Sequence, residues 1–192
     1  AKATGEDPCN GLANASRMAR EFPDLDLDHP WAISPEQAID LARDCEAAAL
    51  AVDRRITQSE GASVGTHRGI SAYANTHGFL GHRTGTHHSL SCAVVGTQDE
   101  EMQRDYWYSS ARRAGDLSQA AYIGRRAGER AIARLGSRKL TTRQAPVLFP
   151  PELARGFWNH FTGAIAGTAL YRKASFLLDK LGQPVFSPLV TL

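Results

Sequence analysis

Between Thr57 and Ser110 the chain offers one strand-like run after another, with only turn-length gaps between them. Parallel neighbours need a crossover of a dozen or more residues, and no segment here is free to supply one. Adjacent strands must therefore run antiparallel. Gly69-Ile70-Ser71-Ala72-Tyr73-Ala74-Asn75 alternates loosely, and Leu90 to Val95 is a compact apolar run. Gly96-Thr97-Gln98-Asp99 supplies a turn, and Asp105-Tyr106-Trp107-Tyr108 is aromatic and suited to a pleated surface. The expectation is a meander of short strands.

Helices flank it. Ser34 is a natural N-cap, Pro35 suits the first helical position, and Gln37 stands where a capping box needs it. Ala38, Ala42, Cys45, Ala49 and Val52 then recur at three- to four-residue spacing and form one apolar stripe. A second helix is expected to open near Asp116, with Ala120, Gly124, Ala127, Ala131 and Leu135 on one face. After a break at Gly136-Ser137-Arg138-Lys139, Ala145 to Phe149 reads as a short buried strand. Pro150-Pro151 starts a long helix that covers Gly156 to Asp179 and ends at Gly182-Gln183-Pro184. The fold class is α+β: helices flanking an antiparallel strand meander, followed by the start of a further α/β-type domain. Residues 1–30 read as the end of an N-terminal domain and a linker, 31–139 as a middle helix-meander-helix domain, and 140–192 as the beginning of a truncated C-terminal domain. The chain opens at Ala1 without a Met and stops in what reads as a strand, so a piece of a longer protein is expected.

Charge and cysteine usage narrow the function. A net charge of +2, with basic pairs such as Arg54-Arg55 and Arg125-Arg126 scattered among acids, argues against direct nucleic-acid binding. Cys9, Cys45 and Cys92 are odd in number and far apart, which favours free thiols in a reducing compartment. No apolar run is long enough to span a bilayer, and the expected location is cytoplasmic.

The candidate sites are few. His67, His77, His82, His87 and His88 cluster in sequence, yet Asp and Glu are absent from Gly61 to Gln98, and His87 and His88 cannot share one face of a strand. Hydrogen-bonding or surface histidines are the favoured reading, and a metal site would have to borrow an acid from far along the chain. His82 and His87 are the best candidates for such a metal site. Ser59, Ser63, Ser89 and Ser91 lie near histidines but form no nucleophile elbow, and Cys92 sits in an apolar run as a small hydrophobe. Gly61, Gly65 and Gly69 are not followed by a phosphate-cradling Lys. Gly163 and Gly167 form a G-x-x-x-G, which implies close backbone approach to a neighbouring element. In the long helix, Asn159-His160-Phe161-Thr162-Gly163-Ala164 supplies one His and no carboxylate, too little for catalytic zinc.

Several segments taken in order resemble the PmbA-type (TldE-type) branch of the TldD/PmbA metalloprotease family. They are Cys45 to Asp53 with Ser59-Glu60-Gly61-Ala62, Asn75 to Phe79 with Ser89 to Cys92, Met102 to Tyr106, Arg138-Lys139-Leu140, and Gly163 to Gly167 with Tyr171-Arg172-Lys173. The resemblance implies a fragment of a subunit in a cytosolic zinc-dependent peptidase, with a TldD-type subunit as hetero-oligomeric partner and a peptide as substrate. The alternatives are a stand-alone metal-binding hydrolase using the His67–His88 cluster and, since the family is described as modulating gyrase, an indirect regulator of DNA gyrase. The catalytic branch carries His-Glu-x-x-x-His on a helix. With that motif's glycine laid on Gly163, its first His, Glu and second His fall on Asn159, His160 and Ala164. The resemblance thus implies no catalytic or metal residues in this chain, no cofactor of its own, and zinc on the partner.

Overall fold

The structure is a computed structural model that describes residues 11–190. Cys9 and the first third of the expected linker lie outside the described residues. The residues up to Lys139 gather into one compact unit and those from Leu140 into another.

In the first unit, helix α1 (Pro35–Leu50) leads into strands β1 (Ile56–Ala74), β2 (Leu80–Gln98) and β3 (Glu101–Ala111), followed by helix α2 (Ala120–Ala133). The strands form one antiparallel sheet in the order β1-β2-β3. Helix α1 starts as expected. Ser34 Oγ accepts from the Gln37 N–H at 3.2 Å and Gln37 Oε1 accepts from the Ser34 N–H at 3.0 Å, so two otherwise orphaned donors are satisfied. Helix α2 opens later than expected, because Ala114–Asp116 forms a separate 3-10 turn and Gln119 takes the cap position without a side-chain bond.

The meander is as expected in kind, but its first two strands are long, at 19 residues each. Two of the glycines inside them are slots for aromatic rings, not turns. The His67 ring lies over Gly69, where an added Cβ would sit 2.9 Å from Nε2, and the Phe79 ring lies over Gly81 at 3.1 Å. Two β-bulges between Ile56 and Gly61 absorb the irregularity of β1, and Gly61 takes φ +97° there.

Helices α1 and α2 cover one face of the sheet. Along β2 the side chains alternate, and Thr86, His88, Leu90, Cys92 and Val94 all point into the buried side. There Leu90, Cys92 and Val94 meet Cys45, Ala49, Ile123, Ala127 and Ala131. Burial of Leu90 or Ile123 contributes about 1.5–3 kcal/mol each. The helix pair itself packs backbone to backbone. A Cβ on Gly124 would stand 1.8 Å from the Cys45 carbonyl oxygen, and one on Gly128 would stand 2.7 Å from that of Ala49. Helix α2 also docks on β3 through charge. Arg130 and Arg126 lie over the Trp107 ring at 5.0 and 5.5 Å, and the buried Asp105 carboxylate accepts from Arg130 Nε at 3.2 Å.

The second unit holds helices α3 (Pro151–Ala164) and α4 (Gly167–Tyr171). Three readings are corrected here. Ala145 to Phe149 is an exposed irregular segment with no ladder partner. The continuous helix to Asp179 is broken after Ala164, whose carbonyl is taken by the Ser175 hydroxyl at 2.7 Å. A released carbonyl with a side-chain partner is one way a helix end is satisfied, and the flanking Gly163 and Gly167 favour a break there. The end of the described chain is a turn closed by Val190 N–H onto the Ser187 carbonyl at 2.9 Å. The unit is held by aromatic contacts, with Phe149 against Phe157 at 4.9 Å and Phe186 against Phe161 at 5.0 Å.

Two measurements test this packing. Gly124→Ala is expected to cost about 3 kcal/mol or to prevent folding, because backbone cannot yield as a side chain does. Gly163→Ala, with open space around it, is expected to leave stability unchanged or raise it by about 0.5–1 kcal/mol. Urea denaturation of both variants decides the matter. The second test uses pH. The Arg55 side chain and backbone N–H hold the Asp53 carboxyl down at about 2, below its ordinary 3.8. The folded value is depressed, so its contribution is present above pH 4 and is lost as pH falls toward 2. Thermal melts of wild type and Asp53→Asn should differ at pH 7 and converge between pH 4 and 2.

Candidate functional site

The clustered histidines separate once the strands are in register. His67 and His87 face each other across the β1–β2 pair, on the sheet face opposite the helices. His82 has the parity of His88 and belongs to the other face, and five residues at about 3.4 Å each put it some 17 Å from His87 along the strand. The structure does not bring His82 and His87 into one site. His77 lies in the hairpin turn, where its N–H donates to Asn75 Oδ1 at 3.0 Å.

His88 is fully buried. Its Nε2 lies 2.9 Å from the His29 carbonyl, which can only accept, so Nε2 carries the proton. Nδ1 then accepts from the Thr66 hydroxyl at 2.9 Å, and Trp31 meets the ring edge-on at 5.5 Å. Every polar atom of this imidazole has a structural partner, which fits the favoured hydrogen-bonding reading for this residue. The same corner anchors the segment that enters the domain. Thr86 N–H donates to the Leu27 carbonyl at 2.9 Å, and Arg68 makes a two-point contact with Asp28, holding that carboxyl below its ordinary range.

Helix α3 carries the segment on which the resemblance lays the zinc motif of the catalytic branch. His160 is exposed near its C-terminal end, and the residue one turn on, sharing its face, is Ala164. Asn159 and Gly163 occupy the adjacent row and offer no carboxylate. A gluzincin-type centre needs two imidazoles and an acid on one helix, so these residues do not fit zinc. Among the described residues no group of three or more His, Cys, Asp or Glu side chains converges on a point. Gly163 and Gly167 have no neighbour within 4 Å, so the close approach expected of them is made elsewhere, by Gly124 and Gly128. The same four-residue spacing was visible in α2, but nothing in a linear string says which pair of glycines meets another backbone.

Cys45 and Cys92 are free, buried side by side in the core, and the hydrogen bond with the Cys92 thiol, aided by burial, pushes Cys45 well above the usual thiol range. Both sulfurs are closed off from solvent. No helix among the described residues is long and apolar enough to cross a membrane.

Residues 28–135 match the PmbA/TldA metallopeptidase central domain, and residues 142–192 match the C-terminal domain of the same family. The chain is 43% identical over 192 residues to Metalloprotease PmbA of Escherichia coli O157:H7, covering all of this chain and 43% of that protein. It is 42% identical over 185 residues to the Metalloprotease PmbA homolog of Haemophilus influenzae, covering 96% of this chain and 41% of the relative. The chain therefore spans less than half the length of these curated relatives. A crystal structure from Bacteroides thetaiotaomicron, described as a candidate modulator of DNA gyrase, superposes with a TM-score of 0.85 at 29% identity, over 97% of this chain and 43% of that one. The antiparallel meander, its two packed helices and these matches together establish that the chain belongs to the PmbA/TldA metallopeptidase family, on the PmbA side.

Proposed function

We propose that this chain is part of the non-catalytic, PmbA-type subunit of a cytosolic, zinc-dependent peptidase, in which a TldD-type partner holds the metal. The observation that carries the reading is the exposed face of helix α3, where His160 is followed one turn later by Ala164 and no acid stands beside them. A helix with one imidazole cannot hold a catalytic zinc and activate its water. What this subunit offers such an enzyme is surface: a long antiparallel sheet with one face clear of α1 and α2, suited to completing a chamber and holding an extended peptide. A role toward DNA gyrase, the description given to the similar Bacteroides protein, would then run through proteolysis of a peptide regulator. A net charge of +2 supplies no general attraction to nucleic acid.

Peptidase activity and metal content, measured on the full-length subunit, on its TldD-type partner and on the mixture, test the proposal. Activity in the mixture alone, with zinc on the partner alone, is the expected result. Activity and stoichiometric zinc in this subunit by itself would overturn it.

A further inference from the structure

The β1–β2 hairpin outruns the third strand. Pairing of β2 with β3 ends at His88 opposite Ala111, yet β2 continues back to Leu80. Direction along this free stretch follows from period two. Thr86 sends its N–H away from β1 to the Leu27 carbonyl, so Thr84 and His82 send their N–H and C=O groups the same way. Thr86 is also reached by Arg112, which donates to its carbonyl at 3.3 Å. For the outward backbone groups of Thr84 and His82 no partner occurs among the described residues.

Thr84 is half-buried and His82 is exposed. They line a groove of about 610 Å³ between the hairpin and the entering segment Phe22 to Leu27. A volume of this size falls in the range of ligand sites. Its walls are apolar: Phe22 meets Phe79 edge-on at 5.3 Å, Tyr73 tilts against Phe79 at 5.5 Å, and Leu25 and Leu27 come from the entering segment. Phe22 and Tyr73 remain 57% and 55% exposed, so these walls are unfilled by the chain's own side chains. At the rim stands Arg83, a guanidinium with no ion-pair partner among the described residues; of the two acids in the lining, Asp26 is engaged by Arg113 and His29, and Asp24 Oδ1 accepts from the Asp26 N–H at 2.9 Å.

We propose that this groove is a peptide-docking site, in which an extended segment adds to the free edge of β2 at His82 and Thr84, seats an apolar side chain among Phe22, Tyr73 and Phe79, and sets a carboxylate against Arg83. Unpaired ladder groups select an extended backbone, the aromatic walls select an apolar side chain, and the cation on the same sheet face selects an acid two residues along. The inference rests on the reading of this subunit as a holder of peptide, and it names the place and the preference.

Fluorescence anisotropy on the full 192-residue chain tests it, with a labelled octapeptide of Ser and Thr carrying Phe-Thr-Glu at its centre, so that Phe and Glu share the sheet face of Gly81 and Arg83. Thr84→Pro removes one outward N–H and leaves the β1–β2 ladder intact, a placement that edge strands tolerate. Saturable binding is expected, weakened about tenfold or more by Thr84→Pro, by Arg83→Glu, and by N-methylating alternate amides of the peptide. The N-methylated peptide keeps the test decisive even if the proline variant does not fold. Equal binding of the methylated peptide, or no saturation below about 1 mM, would sink the inference. So would a concentration-dependent dimer abolished by Thr84→Pro, which would make the groove a contact between two copies. Because the chain is tested without its partner, failure here leaves the mixing experiment standing, and failure of that experiment leaves this one readable.

Discussion

The contact on which the first unit depends is the approach of helix α2 to helix α1, with Gly124 and Gly128 set against the carbonyls of Cys45 and Ala49. Helices normally sit 8–10 Å apart because side chains keep them there. Here two glycines remove that spacer. The layer under the sheet then becomes thin enough for Cys92, Val94 and Leu90 of β2 to reach both helices at once. Strand register follows from that contact. A shift of one residue in β2 would turn His88 and Leu90 to the open face and bring His87 and Ser89 into an apolar layer.

Polar groups in the buried layer are placed where backbone needs them. His88 and Thr86 sit at the point where β3 ends, and between them they reach carbonyls of Leu27, His29 and Arg112. An imidazole with both nitrogens so engaged ties the entering segment to the sheet. It is a joint, and the cost of burying it is offset by its complete set of partners. The ion pair of Asp28 with Arg68 closes the same joint from outside. The groove beside it exists because the entering segment bonds to β2 at Thr86 and then departs from it.

Family membership and local chemistry point in different directions, and the difference is informative. The chain belongs to a metallopeptidase family, and helix α3, on which the resemblance lays the zinc motif, carries one imidazole and no acid beside it. A fold can be kept while a site is dropped, since the residues that pack and the residues that ligate are different sets. In this chain the packing set is intact: the capping box of α1, the apolar stripe of α2 and the alternation of β2.

Local rules were legible in the linear chain. Ser34 and Gln37 are three residues apart and write their own cap, and the short gaps between Thr57 and Ser110 permit nothing but antiparallel neighbours. The order of segments carried the family resemblance, and the lack of a carboxylate beside His160 was plain from the string. Other features required the third dimension. Glycines in β1 and β2 looked like punctuation but serve as room for the His67 and Phe79 rings, which no spacing rule reveals. The break after Ala164 depends on the Ser175 hydroxyl, eleven positions away. His82 and His87, neighbours in sequence, are divided by the parity of a strand whose full length was not apparent. The free edge at His82 and Thr84 arises because β3 is shorter than β2. Sequence determines what each segment can be, because propensity and capping act over three or four residues. Only the tertiary structure decides which surfaces are covered and which backbone groups are left without a partner, because that depends on where other segments stop.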